Sequence, residues 1–226
     1  MPAAPDDALP EGFLLLPNLL PAKQRQALIA ELTGLPLGIA GQRELLDQPW
    51  CQALARRLRA SPLLQAWLPT SAVAVQCTLF EKSPDRNWLV ALHQDRAIPV
   101  AEQVAHPALG GWSVKNGSHF VLAPADLLAE MLAVRLHLDD ASAADGGLRL
   151  VPGSHRAGVL DDAGMRRWRD QVGEVAADAR AGDALVMRPL TLHASSKATA
   201  TVRRRVLHLL FGPPELPHGL RWHTAV

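Results

Sequence analysis

The hydrophobic pattern changes period partway along the chain. Residues 11 to 20, EGFLLLPNLL, form a short apolar run that reads as a buried strand ending in a turn. Pro21 then suits the first position of a helix, where its missing N–H has no partner to lose. That helix is AKQRQALIAELT, with Ala27, Leu28, Leu32 and Leu35 at helical spacing and Gly34 placed to end it. A second helix is predicted over 49 to 67, where Leu54, Leu58 and Trp67 alternate with Arg56, Arg57 and Arg59. Both stripes suit helices packed on the outside of a sheet. From residue 72 the texture shifts to short runs rich in Val, Leu and Thr, separated by Gly, Pro, Asp and Asn. AVAVQCTLF, WLVALHQD, LAVRLHLD, GLRLVPG, DALVMRP and RRVLHLLFG each read as a strand.

Between the second and third of these runs lies segment 96–133, punctuated by Pro99, Pro107, Gly110, Gly111, Gly117 and Pro124. A connection this long is uncommon unless it serves function, so it is expected to form a lid or pocket wall, with one helix over PADLLAEMLA. Several short strands with few helices between them favour a mainly β fold, an antiparallel jelly roll (a cupin-like double-stranded β-helix) with flanking N-terminal helices.

Composition narrows the function classes. The 226 residues fit a single domain, taken as 1–226, and 48% hydrophobic content can fill its core. Lys and Arg number 23 against 22 Asp and Glu, so no global field favours nucleic acid or an anionic membrane. The expected partner is a small molecule, met by local charge. Cys51 and Cys77 are too few for a disulfide framework and lack zinc spacing, which leaves buried thiols. Asp6, Asp7 and Glu11 precede the first Lys, at position 23, the reverse of a secretory leader. No stretch approaches the roughly 18–20 apolar residues of a membrane span, so the expected location is cytoplasmic.

Candidate chemistry sits in LHQD. Alternate side chains of a strand share a face, so His93 and Asp95 lie together while Gln94 points away. Two imidazoles and one carboxylate form the facial triad of non-haem iron(II) sites, which leaves positions open on the metal. His193, in MRPLTLHASS, is the candidate third ligand. A second triplet, His137-Leu138-Asp139, has the same local form, although its aspartates run into a turn ending at Gly146 and Gly147, where Asp commonly bonds backbone amides. RRRVLHLLF puts Arg204, Val206, His208 and Leu210 on one face, with Arg203 and Arg205 on the other. An inward guanidinium needs a planar anion to offset its desolvation.

The order HQD, GLRLVPGSH, GDALVMRPLTLHASS and RRRVLHLLF resembles the phytanoyl-CoA dioxygenase family of iron(II) and 2-oxoglutarate-dependent oxygenases. The likeness runs from EGFLLLPNLLPAKQRQALIAEL to the end of RRRVLHLLFGP. It implies that His93, Asp95 and His193 hold Fe(II), which leaves His137 outside the ligand set. It also implies that Arg204, eleven residues after His193, takes the distal carboxylate of 2-oxoglutarate, with Arg203 or Arg205 in its stead if the strand is bulged. Gln76 and Ser195 resemble residues that position the co-substrate in some members. Arg135 and His137 alternate on one face and could line the substrate end of the pocket, with Trp88 and Trp112 as aromatic walls.

The resemblance implies a dioxygenase that consumes O2 and couples oxidative decarboxylation of 2-oxoglutarate to hydroxylation of a small molecule. Asp95 argues against halogenation, which in relatives requires a small residue at that place. GGWSVKNGSHF departs from the family pattern and leaves the substrate open. The rival readings are a non-catalytic cupin-like barrel that binds a metal or ligand, and a zinc hydrolase built on the same three ligands.

Overall fold

The computed structural model describes residues 9–35, 41–199 and 203–226. Asp6 and Asp7 therefore lie outside the described residues. Among these residues twelve strands and four α-helices follow one another as β1 (Phe13–Leu16), α1 (Ala22–Leu32), α2 (Pro49–Arg59), β2 (Val73–Lys82), β3 (Val90–His93), β4 (Ala97–Val100), β5 (Gly110–Lys115) and β6 (Ser118–Leu122). The rest are α3 (Ala125–Glu130), β7 (Leu132–His137), β8 (Leu148–Leu150), α4 (Asp162–Val172), β9 (Val175–Ala176), β10 (Ala184–Met187), β11 (His193–Ser195) and β12 (Arg204–Gly212). All strand pairings are antiparallel.

The main sheet has the order β1-β10-β7-β12-β2, and a second sheet has the order β3-β11-β8-β9. Strand alternation explains their packing. Leu207, Leu209 and Phe211 of β12, with Val134 and Leu136 of β7, join Leu28 and Leu32 of α1 and Leu54 and Leu58 of α2 in one core. The opposite faces supply Ala133, Leu185, Met187 and Leu210, which pack with Leu148 and Leu150 of the second sheet. Helices α1 and α2 thus cover the outside of the main sheet, and the inner face of that sheet meets the second one. Both cysteines are buried and free.

Three departures from the sequence reading have local causes. Segment 96–133 is not an irregular loop, because β4, β6 and β5 form a three-stranded sheet in that order, followed by α3. The β5 run GGWSVK is exposed at most positions on both faces, so no apolar alternation marks it as a strand. Its hairpin to β6 turns on Asn116 and Gly117, with φ of 52° and 87°, the left-handed pair that a two-residue turn requires. Helix α4 is a second unannounced element: its apolar residues Met165, Trp168 and Val172 are few among charged neighbours, only Gly164 is buried, and it starts on an Asp161 cap that accepts from the Gly164 N–H at 2.7 Å. The second helix ends at Arg59 rather than running to 67, and residues 61–68 continue as turns.

Gly12, just before β1, ties the first strand to the chain leading into β11. Its carbonyl accepts from the Arg188 N–H at 2.8 Å and from Thr191 Oγ1 at 3.0 Å. It holds φ of +81°, and a Cβ there would lie 2.6 Å from Thr191 Oγ1 and against the His155 ring. Gly12→Ala should therefore cost about 1–3 kcal/mol, read as a melting temperature lower by several degrees.

Candidate metal centre

His93 and His193 are direct cross-strand partners, one at the end of β3 and the other at the start of β11. Their rings stand 4.2 Å apart between centroids. Asp95 lies just past β3, where its N–H donates to the Pro189 carbonyl at 2.9 Å. That bond turns the carboxylate between the two rings. Asp95 Oδ1 is 3.4 Å from His93 Nε2, and Oδ2 is 3.6 Å from His193 Nε2. One ligand atom from each of the three residues lies within 4.8 Å of the others.

The donor set suits one divalent ion in chemistry as well as in distance. His93 Nδ1 faces the Ala91 carbonyl at 2.9 Å, and His193 Nδ1 faces the Thr191 carbonyl at 2.9 Å. Each ring therefore donates its Nδ1 proton to backbone and leaves Nε2 free as a ligand, the orientation that outer contacts impose on metal-binding histidines. Burial pushes the His193 imidazole down to about 4, although Asp95 opposes it. Burial raises the Asp95 carboxyl, but His193, His93 and His208 together hold it well below the carboxylate range. Both are thereby kept in the forms that bind metal. Gln94 points the other way: its Nε2 donates to the Gly158 and Leu190 carbonyls at 2.8 Å each, and its Oε1 accepts from the Leu160 N–H at 3.0 Å. That fully bonded amide anchors the strand end from behind.

The three residues open onto a cavity of about 470 Å³ between the two sheets. Arg204, Arg135, Gln76 and His208 from the main sheet line it, facing Ser195 of the second sheet, while Lys115 and Phe120 come from segment 96–133. Its charged lining consists of Arg43, Lys82, Arg96, Lys115, Arg135 and Arg204 against the single acid Asp95.

The inner end is built by β12 and β2, in which Arg204 stands opposite Lys82. A register shift between Leu210 and Phe211 leaves Val75 as an extra residue on β2, away from this end, so the inward face of β12 stays Arg204, Val206, His208 and Leu210. Arg205 is instead held by Asp139, with contacts of 2.8 Å from Nε to Oδ2 and from the terminal nitrogen to Oδ1, and Arg203 pairs with Glu81 at 2.7 Å. Asp139 also accepts from the Arg205 N–H at 2.9 Å and Asp140 from the Ala181 N–H at 2.8 Å, while within the turn itself Asp145 accepts from the Ser142 N–H and hydroxyl. Arg204 is 3% exposed, and its Nε has no partner among the described residues.

Lys82 was not singled out from the sequence, because a Lys ending a strand ordinarily sits in solvent. Here it is 1% exposed and donates to Ser195 Oγ at 2.9 Å and to the Gly146 carbonyl at 3.4 Å. Burial, followed by Arg204, Arg135 and Arg149, pulls its ammonium down to about 8. Gln76 and Trp88 also line the cavity, with Gln76 Nε2 donating to Thr78 Oγ1 at 3.0 Å. Arg135 donates to His208 Nδ1 at 2.8 Å. His137 is buried outside the lining, where burial and then Arg135 push it to about 3, and Trp112 also falls outside the lining.

Comparison with known proteins agrees with this geometry. The family model described as Phytanoyl-CoA dioxygenase (PhyH) matches residues 10–206. Among solved structures, the epimerase SnoN, in complex with Fe3+, alpha ketoglutarate and nogalamycin RO, is similar with a TM-score of 0.66 at 17% identity, over 97% of this chain and 92% of that one. EctD from S. alaskensis, in its apoform, has a TM-score of 0.66 at 17% identity, over 95% of this chain and 80% of that one. HygX from Streptomyces hygroscopicus, with nickel and 2-oxoglutarate bound, has a TM-score of 0.59 at 18% identity, over 92% and 84%. No curated protein matches the chain in sequence. Among the described residues, no helix is long and apolar enough to cross a membrane.

Proposed function

The chain belongs to the phytanoyl-CoA dioxygenase family, and on that premise we propose that it is an iron(II) and 2-oxoglutarate-dependent oxygenase that hydroxylates a small organic molecule. The observation that carries the reading is one cavity with a two-histidine, one-carboxylate cluster on its wall and a buried Arg204–Lys82–Ser195 group at its inner end. His93, Asp95 and His193 hold the metal. Arg204 offers its planar fork to the distal carboxylate of 2-oxoglutarate, while Lys82 and Ser195 supply a second charge and a hydroxyl beside it. When bound, iron and 2-oxoglutarate together supply the oxidising chemistry that activates O2. The chain's residues orient the co-substrate, keep it in a cavity closed from bulk water on its inner side, and hold the substrate carbon within reach. His208, pushed down to about 3 by burial and by the neighbouring Arg135, stays neutral beside the metal and adds no competing charge.

Anaerobic addition of Fe(II) and then 2-oxoglutarate should produce a visible charge-transfer absorption, and O2 should then yield succinate. A zinc hydrolase or a non-catalytic barrel would do neither. The epimerase and carbocyclase chemistry named for the similar structures SnoN and SnoK begins from comparable folds, so product analysis decides between hydroxylation and rearrangement.

Lys82 gives the co-substrate affinity a pH dependence of definite sign. Below about 8 its Nζ is cationic and attracts the carboxylate; above that value the free protein has lost the charge. The affinity for 2-oxoglutarate should therefore fall as the pH rises through about 8 and onward, by up to tenfold per pH unit. Anaerobic titration calorimetry of the wild type and of Lys82→Met should show the fall in the first and its absence in the second.

A further inference from the structure

The cavity carries a second cationic station, which neither the metal ligands nor the Arg204 end uses. Arg43 and Lys115 both line it, and both are placed by backbone geometry rather than left on free side-chain tethers. Gln42 exchanges two backbone hydrogen bonds with Leu79 of β2, at 2.9 and 2.8 Å. Beside it Gly41, at φ +113°, comes so close that a Cβ would lie 2.6 Å from the Leu79 carbonyl oxygen. The backbone that enters Arg43 is therefore fixed at the edge of the cavity. Lys115 is the last residue of β5, paired with Ser118 across the tight Asn116-Gly117 turn.

Glu44 and Asp47 flank the two cations on a small adjoining pocket, but in the lining of the main cavity the one acid is Asp95. Burial lowers the Lys115 ammonium and Arg43 lowers it further, while Asp95 opposes this. Asp95 is committed to the metal, and neither Arg43 nor Lys115 has an ion pair among the described residues. Glu44, the nearest acid in sequence, accepts from Ser118 Oγ at 2.7 Å instead. Among the described residues Lys115 Nζ meets only the Phe120 ring, 4.7 Å away. A 2-oxoglutarate dianion seated at Arg204 and Lys82 would offset the inner cations and leave this outer pair uncompensated. Two like charges that line one cavity and are partly withdrawn from water cost free energy that an arriving anion recovers.

We propose, resting on the oxygenase reading above, that Arg43 and Lys115 recognise an acidic group, a carboxylate or a phosphate, on the organic substrate. The substrate is then an anion, clamped near the β5–β6 hairpin with its reacting carbon turned toward the metal.

The test uses the full chain loaded with Mn(II), which relaxes nearby nuclei, and saturated with 2-oxoglutarate so that the inner cations are occupied. Inorganic phosphate and acetate are the probes, read by 31P and 13C relaxation. At least one of them should relax faster in the wild type, and Arg43→Gln/Lys115→Gln should weaken its binding roughly tenfold or more. The charge-keeping Arg43→Lys/Lys115→Arg should retain it within about threefold. Preference for phosphate would point to a phosphorylated substrate and preference for acetate to a carboxylic acid. Should the double Gln variant fail to fold, Lys115→Gln alone, at a half-buried strand end, should lose about threefold. No enhanced relaxation of either probe in the wild type, or equal affinity after the charges are removed, overturns the proposal. If 2-oxoglutarate itself shows no metal-dependent relaxation, it is the oxygenase reading that fails.

Discussion

Asp95→Ala should leave a folded protein that binds iron far more weakly and forms no succinate. The carboxylate is the only anionic member of the cluster, and it bridges the two imidazoles, 3.4 Å from one and 3.6 Å from the other. Changes in residues that merely support metal ligands cost about 10–100-fold in metal affinity or activity, so removal of a ligand should exceed that range. Burial opposes the ionised Asp95, which depends on the surrounding histidines to remain charged. A carboxyl held below its ordinary range stabilises the fold at neutral pH, so Asp95→Ala should lower the melting temperature of the metal-free protein modestly while iron binding and succinate formation are lost altogether. Equal loss of stability and activity would instead mark Asp95 as a structural residue. Iron titration and differential scanning fluorimetry on the same preparation separate the two outcomes.

Arg204→Met should cut the affinity for 2-oxoglutarate by about thirtyfold or more while leaving iron binding close to wild type. Truncating one partner of a buried charge pair costs roughly 2–5 kcal/mol, and the lower bound alone is more than a tenfold change. Arg204 stays a cation here: burial brings its guanidinium down to about 10, with Asp145 and Asp139 opposing, still well above neutral pH. Arg204→Lys should recover only part of the affinity, because an ammonium cannot grip a carboxylate with two parallel bonds. If Arg205→Met had the larger effect, the inward face of β12 would be misassigned, since Arg205 is engaged by Asp139 on the other side. Anaerobic charge-transfer titrations of the three variants rank them directly.

Much of this arrangement was legible in the order of residues. The strand runs around residues 73–82, 90–93, 132–137, 184–187 and 204–212 were visible as short stretches rich in Val, Leu and Thr bounded by turn residues, and alternation along each assigned its two faces. The same alternation placed His93 with Asp95 and turned Gln94 away, and it separated Arg204 from Arg203 and Arg205. The Asn-Gly turn in VKNGSHF is a hairpin signal of the same local kind, yet the exposed β5 beside it carries no apolar alternation, and the pair of strands went unread. Helix α4 is harder to read because its short stripe of Met165, Trp168 and Val172 is set among charged residues and contributes almost nothing to a core.

Local patterning thus specified the strands, the faces of their side chains and the family likeness, because each depends on neighbours within a few positions. It could not specify which strands would lie side by side. The pairing of β11 with β3, which sets His193 across from His93, joins residues a hundred positions apart. The pairing of β12 with β2, which sets Lys82 across from Arg204, joins residues more than a hundred apart. An ordinary strand-end lysine became a buried cation beside the co-substrate arginine only through that closure. The same holds for Arg43 and Lys115, which have nothing in their own sequence surroundings to set them apart. Their shared charge exists only because an isolated bridge to β2 and a hairpin turn bring them to one cavity, where burial and mutual repulsion act together.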